Sequence, residues 1–188
     1  MIDIVLFHSA LGLNAGVREL GAALGTTGAR VHVPDLFDGE TFADLSAGVA
    51  KRDALGVPEL MRRAAAAVAN VPAACVYVGL SMGAGAAEWL ALTRPGARGV
   101  VLAHGALALA QLGVDAWPGL PLQVHVSARD PWVDHAAARA LVDAAKGELF
   151  VYDGDAHVFT DASAREYEPK AAALFCERVR GLVRAVET

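Results

Sequence analysis

Cysteine, aromatic side chains and blocks of like charge are all scarce in this chain of 188 residues, and each scarcity excludes something. Two cysteines are too few for a stapled scaffold. Cys75 and Cys176 both stand where small apolar residues belong, which predicts buried free thiols in a reducing cytoplasm. Acidic residues outnumber basic ones 21 to 16, for a net charge of −5 with the signs mixed and no basic block. A nucleic-acid partner is therefore not expected. No stretch reads as a membrane span, and the apolar opening from Met1 to Phe7 lacks a basic flank and contains Asp3, so it reads as a first strand rather than a leader. There is also no linker rich in Pro, Gly and Ser and no internal repeat.

What remains is 55% hydrophobic and 20% charged. That composition and length fit one compact soluble domain, residues 1–188, able to bury roughly 70% of its unfolded surface. Strand-like runs are expected at Ile2–Phe7, Arg30–Val33, Cys75–Leu80, Gly99–Ala103, Leu122–Ser127 and Glu148–Tyr152. Helical spacing appears at Asn14–Leu24, Glu59–Ala69 after Pro58, Met82–Leu92, Asp134–Lys146 and Pro169–Val186. From Asp35 to Val57 the pattern loosens, with Phe42, Leu45 and Val49 hinting at a short helix, and this stretch is the candidate excursion or lid. Short apolar strands alternating with helices predict an α/β fold: a mostly parallel sheet of about six strands covered by helices on both faces, in three layers.

One turn organises the rest. Gly79-Leu80-Ser81-Met82-Gly83 falls between the Cys75–Leu80 strand and the Met82 helix. A serine held on so sharp a strand-to-helix turn tolerates almost no side chain on its neighbours, which explains the two glycines. The turn lifts the hydroxyl clear of the sheet and aims the first helical amides at any oxyanion beside it.

In parallel sheets the site forms at the carboxyl ends of the strands. The loops there carry His8 and Ser9, Asp35, Ser81, His104, Asp130 and His157. A nucleophilic serine needs a base, and the base needs an acid to fix its tautomer. His157 and Asp130 meet those needs in the order Ser…Asp…His expected of an α/β-hydrolase; Asp134, Asp153 and Asp155 compete with Asp130 for the acid.

With these residues in view, the chain resembles the dienelactone hydrolase family of α/β-hydrolases nearly end to end. The matching segments are Val5–Asn14, Val33–Asp38, the Gly79–Gly83 elbow, Ala128–Pro131 and Gly154–Phe159. The resemblance implies a Ser81, Asp130, His157 triad and an oxyanion hole made by the amides of Met82 and Ala10. It departs in three places. Members that open dienelactones use cysteine where this chain has Ser81, glutamate where Ser9 stands, and carboxylate-binding arginines, one near the present Thr160 and Asp161. The expected substrate is therefore another small carboxylic ester or lactone, hydrolysed through an acyl-enzyme, with Lys51 or Arg52 available as a different anchor.

The expected pocket draws on His8, Ser9, Leu11, Phe37, His104 and Trp132, with His8 and His104 equally able to tie down loop backbone. His32 and His125, inside strands, read as structural, and Trp117 as packing. No cofactor is expected. Asp153-Gly-Asp155-Ala-His157 has neither calcium-loop nor zinc-pair spacing, so no metal is expected either. The reading leaves monomer and homodimer open. Two other classes compete: a non-catalytic binding protein on the same fold, and a nucleotide-binding domain suggested by Gly83-Ala-Gly85, which lacks the third glycine because Glu88 stands there.

Overall fold

The computed structural model describes residues 1–26 and 28–187. Six strands form one sheet: β1 (Asp3–Phe7), β2 (Arg30–His32), β3 (Cys75–Leu80), β4 (Gly99–Ala103), β5 (Leu122–Ser127) and β6 (Glu148–Tyr152). Their order is β2-β1-β3-β4-β5-β6, and all five ladders are parallel. Six helices connect and cover them: α1 (Ala15–Gly25), α2 (Leu45–Leu55), α3 (Val57–Ala67), α4 (Met82–Thr93), α5 (His135–Ala145) and α6 (Pro169–Val186). A short 3₁₀ turn, Leu109–Leu112, follows β4. This is the expected three-layer α/β arrangement.

Alternation along the strands divides the core in two. Val5, Phe7, Tyr77, Val100 and Leu102 face α3, α4 and α5, whereas Ile4, Leu6, Val76, Val78 and Val101 face α1 and α6. Strands β1, β3, β4 and β5 are buried along their whole length, as near-continuous apolar runs require. Cys75 and Cys176 are free and buried, in opposite halves of that core.

Local sequence sets the helix ends. Asn14, Asp44 and Asp134 each turn a side-chain oxygen onto the first-turn amides of α1, α2 and α5. Lys146 ends α5 in a left-handed conformation, and Pro58 starts α3. Asn14 and Asp134 are therefore caps, one residue outside the helices expected to begin with them. The Asp35–Val57 stretch holds a full helix, α2. Gly48 pins it, since a Cβ there would meet the Ala10 carbonyl oxygen at 1.9 Å.

The chain leaves β1 toward β2 on one side and continues from β3 toward β6 on the other, so the order reverses between β1 and β3. A crevice opens beyond the carboxyl ends of the strands at such a reversal.

Candidate active site

Ser81 sits at that reversal, with φ 52° and ψ −112°. A non-glycine residue with positive φ is uncommon, and here the surroundings enforce it. The Ser81 amide donates to the Ala103 carbonyl at 2.7 Å, tying the turn to β4. A Cβ on Gly79 would lie 2.3 Å from the Gly83 carbonyl oxygen, and one on Gly83 would lie 2.5 Å from that of Phe7. Both glycines are thus demanded by backbone approaching backbone.

The Ser81 hydroxyl lies 2.8 Å from Nε2 of His157, and Nδ1 of His157 lies 2.7 Å from Oδ2 of Asp130. An ionised Asp130 accepts, so Nδ1 carries the proton and Nε2 is left free to accept from the serine. The second carboxylate oxygen of Asp130 accepts from the Trp132 amide at 2.9 Å. The loop behind His157 is held in turn: its own amide donates to Glu166 at 2.6 Å, and the Ser127 hydroxyl donates to the Ala156 carbonyl. Asp130 and His157 are both buried. Of the competing acids, Asp134 caps α5.

The amides of Met82, first in α4, and Ala10, just after β1, belong to residues lining the same cavity as Ser81. No turn, loop or cap hydrogen bond among the described residues uses either amide. Ser81 gives α4 no side-chain cap, so the positive end of that helix is directed at the space beside the hydroxyl.

His104 also lines this cavity. Its Nε2 bonds the Thr160 hydroxyl at 2.8 Å, while its buried Nδ1 has no protein partner among the described residues. Burial, then the neighbouring His157 and His125, push it well below the usual histidine range. A neutral His104, its ring 5.8 Å from that of His157, places no positive charge beside it.

The cavity holds about 520 Å³. Leu45 and Val49 of α2, Leu60 and Met61 of α3, and Gly85 and Trp89 of α4 line it, together with Leu107 and Leu112. Trp132 stands half-exposed at its rim, its ring 6.0 Å from that of His157.

The model of the dienelactone hydrolase family matches residues 2–186 of this chain. The chain belongs to that family. As a dienelactone hydrolase family member it is a hydrolase acting on ester bonds. Among solved structures, this family member superposes on a dienelactone hydrolase-like promiscuous phosphotriesterase from metagenomic libraries with a TM-score of 0.77. The two are 23% identical over 99% of this chain and 87% of that one. A dienelactone hydrolase from Anabaena variabilis gives 0.72 at 20% identity, covering 98% and 87%. A cold-adapted esterase from an Arctic intertidal metagenomic library gives 0.69 at 16%, covering 96% and 82%. A search of curated proteins finds no match.

Not every expected pocket residue of this family member reaches the cavity. His104 and Trp132 do; His8, Ser9, Leu11 and Phe37 are buried behind it. His8 donates from Nδ1 to the Ser9 carbonyl and accepts from the Leu36 amide at Nε2, so it ties loop to loop. The Ser9 hydroxyl accepts from the Leu11 amide, and Phe37 packs edge-on against the His8 ring. His32 and His125 are structural, bonded to Asp3 and Tyr152. The expected anchors are both ion-paired, Lys51 with Glu40 and Arg52 with Asp53.

Sequence reading met Glu88 only as the residue in place of a third glycine and missed its burial. It is fully buried in α4, accepting from the Leu107 amide at 2.9 Å, and burial raises its carboxyl to about 8. A carboxylic acid inside an otherwise apolar helical run was the available signal. Glu166, exposed and nine residues from His157, left none.

Proposed function

We propose that this hydrolase works through an acyl-enzyme on Ser81, cleaving a small carboxylic ester or lactone. The observation that supports this most is the unbroken line of hydrogen bonds from the Ser81 hydroxyl through His157 to Asp130, at 2.8 and 2.7 Å, on an elbow with positive φ.

His157 Nε2 takes the hydroxyl proton as Ser81 Oγ attacks the ester carbonyl carbon. The amides of Met82 and Ala10 hold the tetrahedral oxyanion, and Asp130 stabilises the imidazolium. His157 then gives its proton to the departing alkoxide. Water enters, loses a proton to His157 and attacks the acyl carbon; collapse returns the proton to Ser81 Oγ and releases the acid. Because His157 already lies within bonding distance of Oγ, no side-chain movement is required before attack. The substrate is a small molecule, and the buried thiols fit a cytoplasmic setting.

The test is intact mass after incubation with a fluorophosphonate. The expected result is one adduct on the native chain and none on Ser81→Ala or His157→Ala. An unmodified native chain would defeat the reading of Ser81 as an activated nucleophile.

A further inference from the structure

The cavity beside Ser81 is unequal in its chemistry. Its walls, Leu45, Val49, Leu60, Met61, Trp89 and Leu112, are apolar side chains from four separate segments. Three charged residues line it: Arg52, Asp53 and Asp134. Arg52 Nε and Nη2 both reach Asp53 Oδ1, at 2.8 and 2.7 Å, and Asp134 is spent on the amides of α5. The lining therefore carries one cation against two carboxylates, and that cation already has a partner.

Four residues outside this lining are also taken. Thr160 is buried on His104. Asp161 is buried between the Asn14 side-chain amide, 2.7 Å away, and the Ser163 amide, 2.9 Å away. Lys51 is paired with Glu40, and Arg63 with Glu59 and Asp38. An ionised carboxylate entering this cavity would lose its hydration against apolar walls and meet net negative charge. An aliphatic chain would gain burial with every methylene.

Resting on the reading of Ser81 as nucleophile, we infer that this hydrolase takes uncharged esters or lactones bearing an aliphatic arm, which lies along the apolar lining from α2, α3 and α4, and rejects those bearing a free carboxylate. Selection is by desolvation rather than by an ionic clamp. Gly85 lines the cavity, and a Cβ there would touch only Leu107, at 3.6 Å, so a larger side chain fits the backbone and takes up space the arm needs.

The experiment compares 4-nitrophenyl acetate, 4-nitrophenyl hexanoate and the mono-4-nitrophenyl ester of adipic acid, which matches the hexanoate in length but ends in a carboxylate. In kcat/KM the hexanoate should exceed the acetate by tenfold or more, at up to about fourfold per methylene. It should exceed the adipate by about a hundredfold. Gly85→Leu should lower the ratio of hexanoate to acetate, and Asp53→Asn should raise the ratio of adipate to hexanoate by freeing Arg52.

A second measurement does not depend on turnover. In Ser81→Ala, the fluorescence of Trp89 and Trp132 should report methyl hexanoate binding at least tenfold tighter than monomethyl adipate. If the nucleophile reading fails, no fluorophosphonate adduct forms but this binding preference persists. Equal or tighter binding of the adipate, or an adipate cleaved as fast as the hexanoate, would overturn the inference.

Discussion

The floor of the cavity and its walls obey different physics. On the floor, Ser81, His157 and Asp130 stand on loops after β3, β6 and β5, and each polar atom has a partner at hydrogen-bond distance. Backbone packs on backbone there, at Gly79 and Gly83. In the walls, α2, α3, α4 and the Leu109–Leu112 turn present side chains whose demand is mainly to be apolar and of suitable volume. Directional bonds fail when one atom is lost, whereas packed walls fail gradually. On the function proposed above, the chemistry is concentrated in a few atoms and substrate choice is spread over many.

The sharpest way to break that contrast is on the floor. Ser81→Ala or His157→Ala should lower ester turnover on the order of 10⁶-fold if the three residues act as a unit. Asp130→Asn should lower it roughly 10⁴-fold by spoiling the His157 tautomer. Steady-state kinetics on an activated ester measures all three, and a loss of only a few fold would put the floor on the same footing as the walls.

Next comes the backbone under the elbow. Gly83→Ala drives a methyl into the Phe7 carbonyl and should cost about 3 kcal/mol or more, read as a fall in the urea midpoint with m unchanged. If Gly83→Ala is as stable as the native chain, the floor is less rigid than its contacts imply.

Behind the wall, Glu88 gives a smaller effect that depends on pH. Burial raises its carboxyl from the ordinary 4.5 to about 8, so between these values the folded chain holds a proton that the unfolded chain has lost. Stability then falls as pH rises through that window, by at most ~1.4 kcal/mol per unit. Glu88→Gln keeps an oxygen for the Leu107 amide and removes this titration, so its stability relative to the native chain should climb from about pH 5 to pH 8 in urea melts. A constant difference would show that Glu88 does not hold its proton.

The smallest effect is expected at Gly85. A Cβ there makes only ordinary contact with Leu107, so Gly85→Ala should stabilise α4 by about 0.5–1 kcal/mol through helix propensity, visible as a modest rise in Tm. A fall instead would mean that the wall is packed as tightly as the floor.

Periodicity and turn chemistry carry far in this chain. The strands Gly99–Ala103, Leu122–Ser127 and Glu148–Tyr152 and the helix Pro169–Val186 have the bounds their patterns imply. Alternating apolar runs and proline or glycine breaks are local signals, and they suffice for elements that are regular. The Ser81, Asp130, His157 constellation was legible because strand-end loops converge in a parallel sheet whatever their separation in sequence. Leu11 and Phe37 misled for a related reason, and of the two roles open to His8 it has the loop-tying one: strand-end position puts a residue near the crevice but not on its surface. His8 turned inward because the Leu36 amide needed an acceptor in a buried loop.

The sequence by itself determined a strand-turn-helix that no residue other than glycine could flank, a parallel sheet around it, and the chain order of the residues that gather there. These depend on backbone geometry and on short-range apolar periodicity. Only the tertiary structure decided that α2 closes the cavity through Gly48 against Ala10, that Glu88 is buried against the 105–112 segment, and that Arg52 is already paired. Each of these turns on which side chains from separate segments share a volume and which charges they meet there, and no local pattern in a single sequence encodes that.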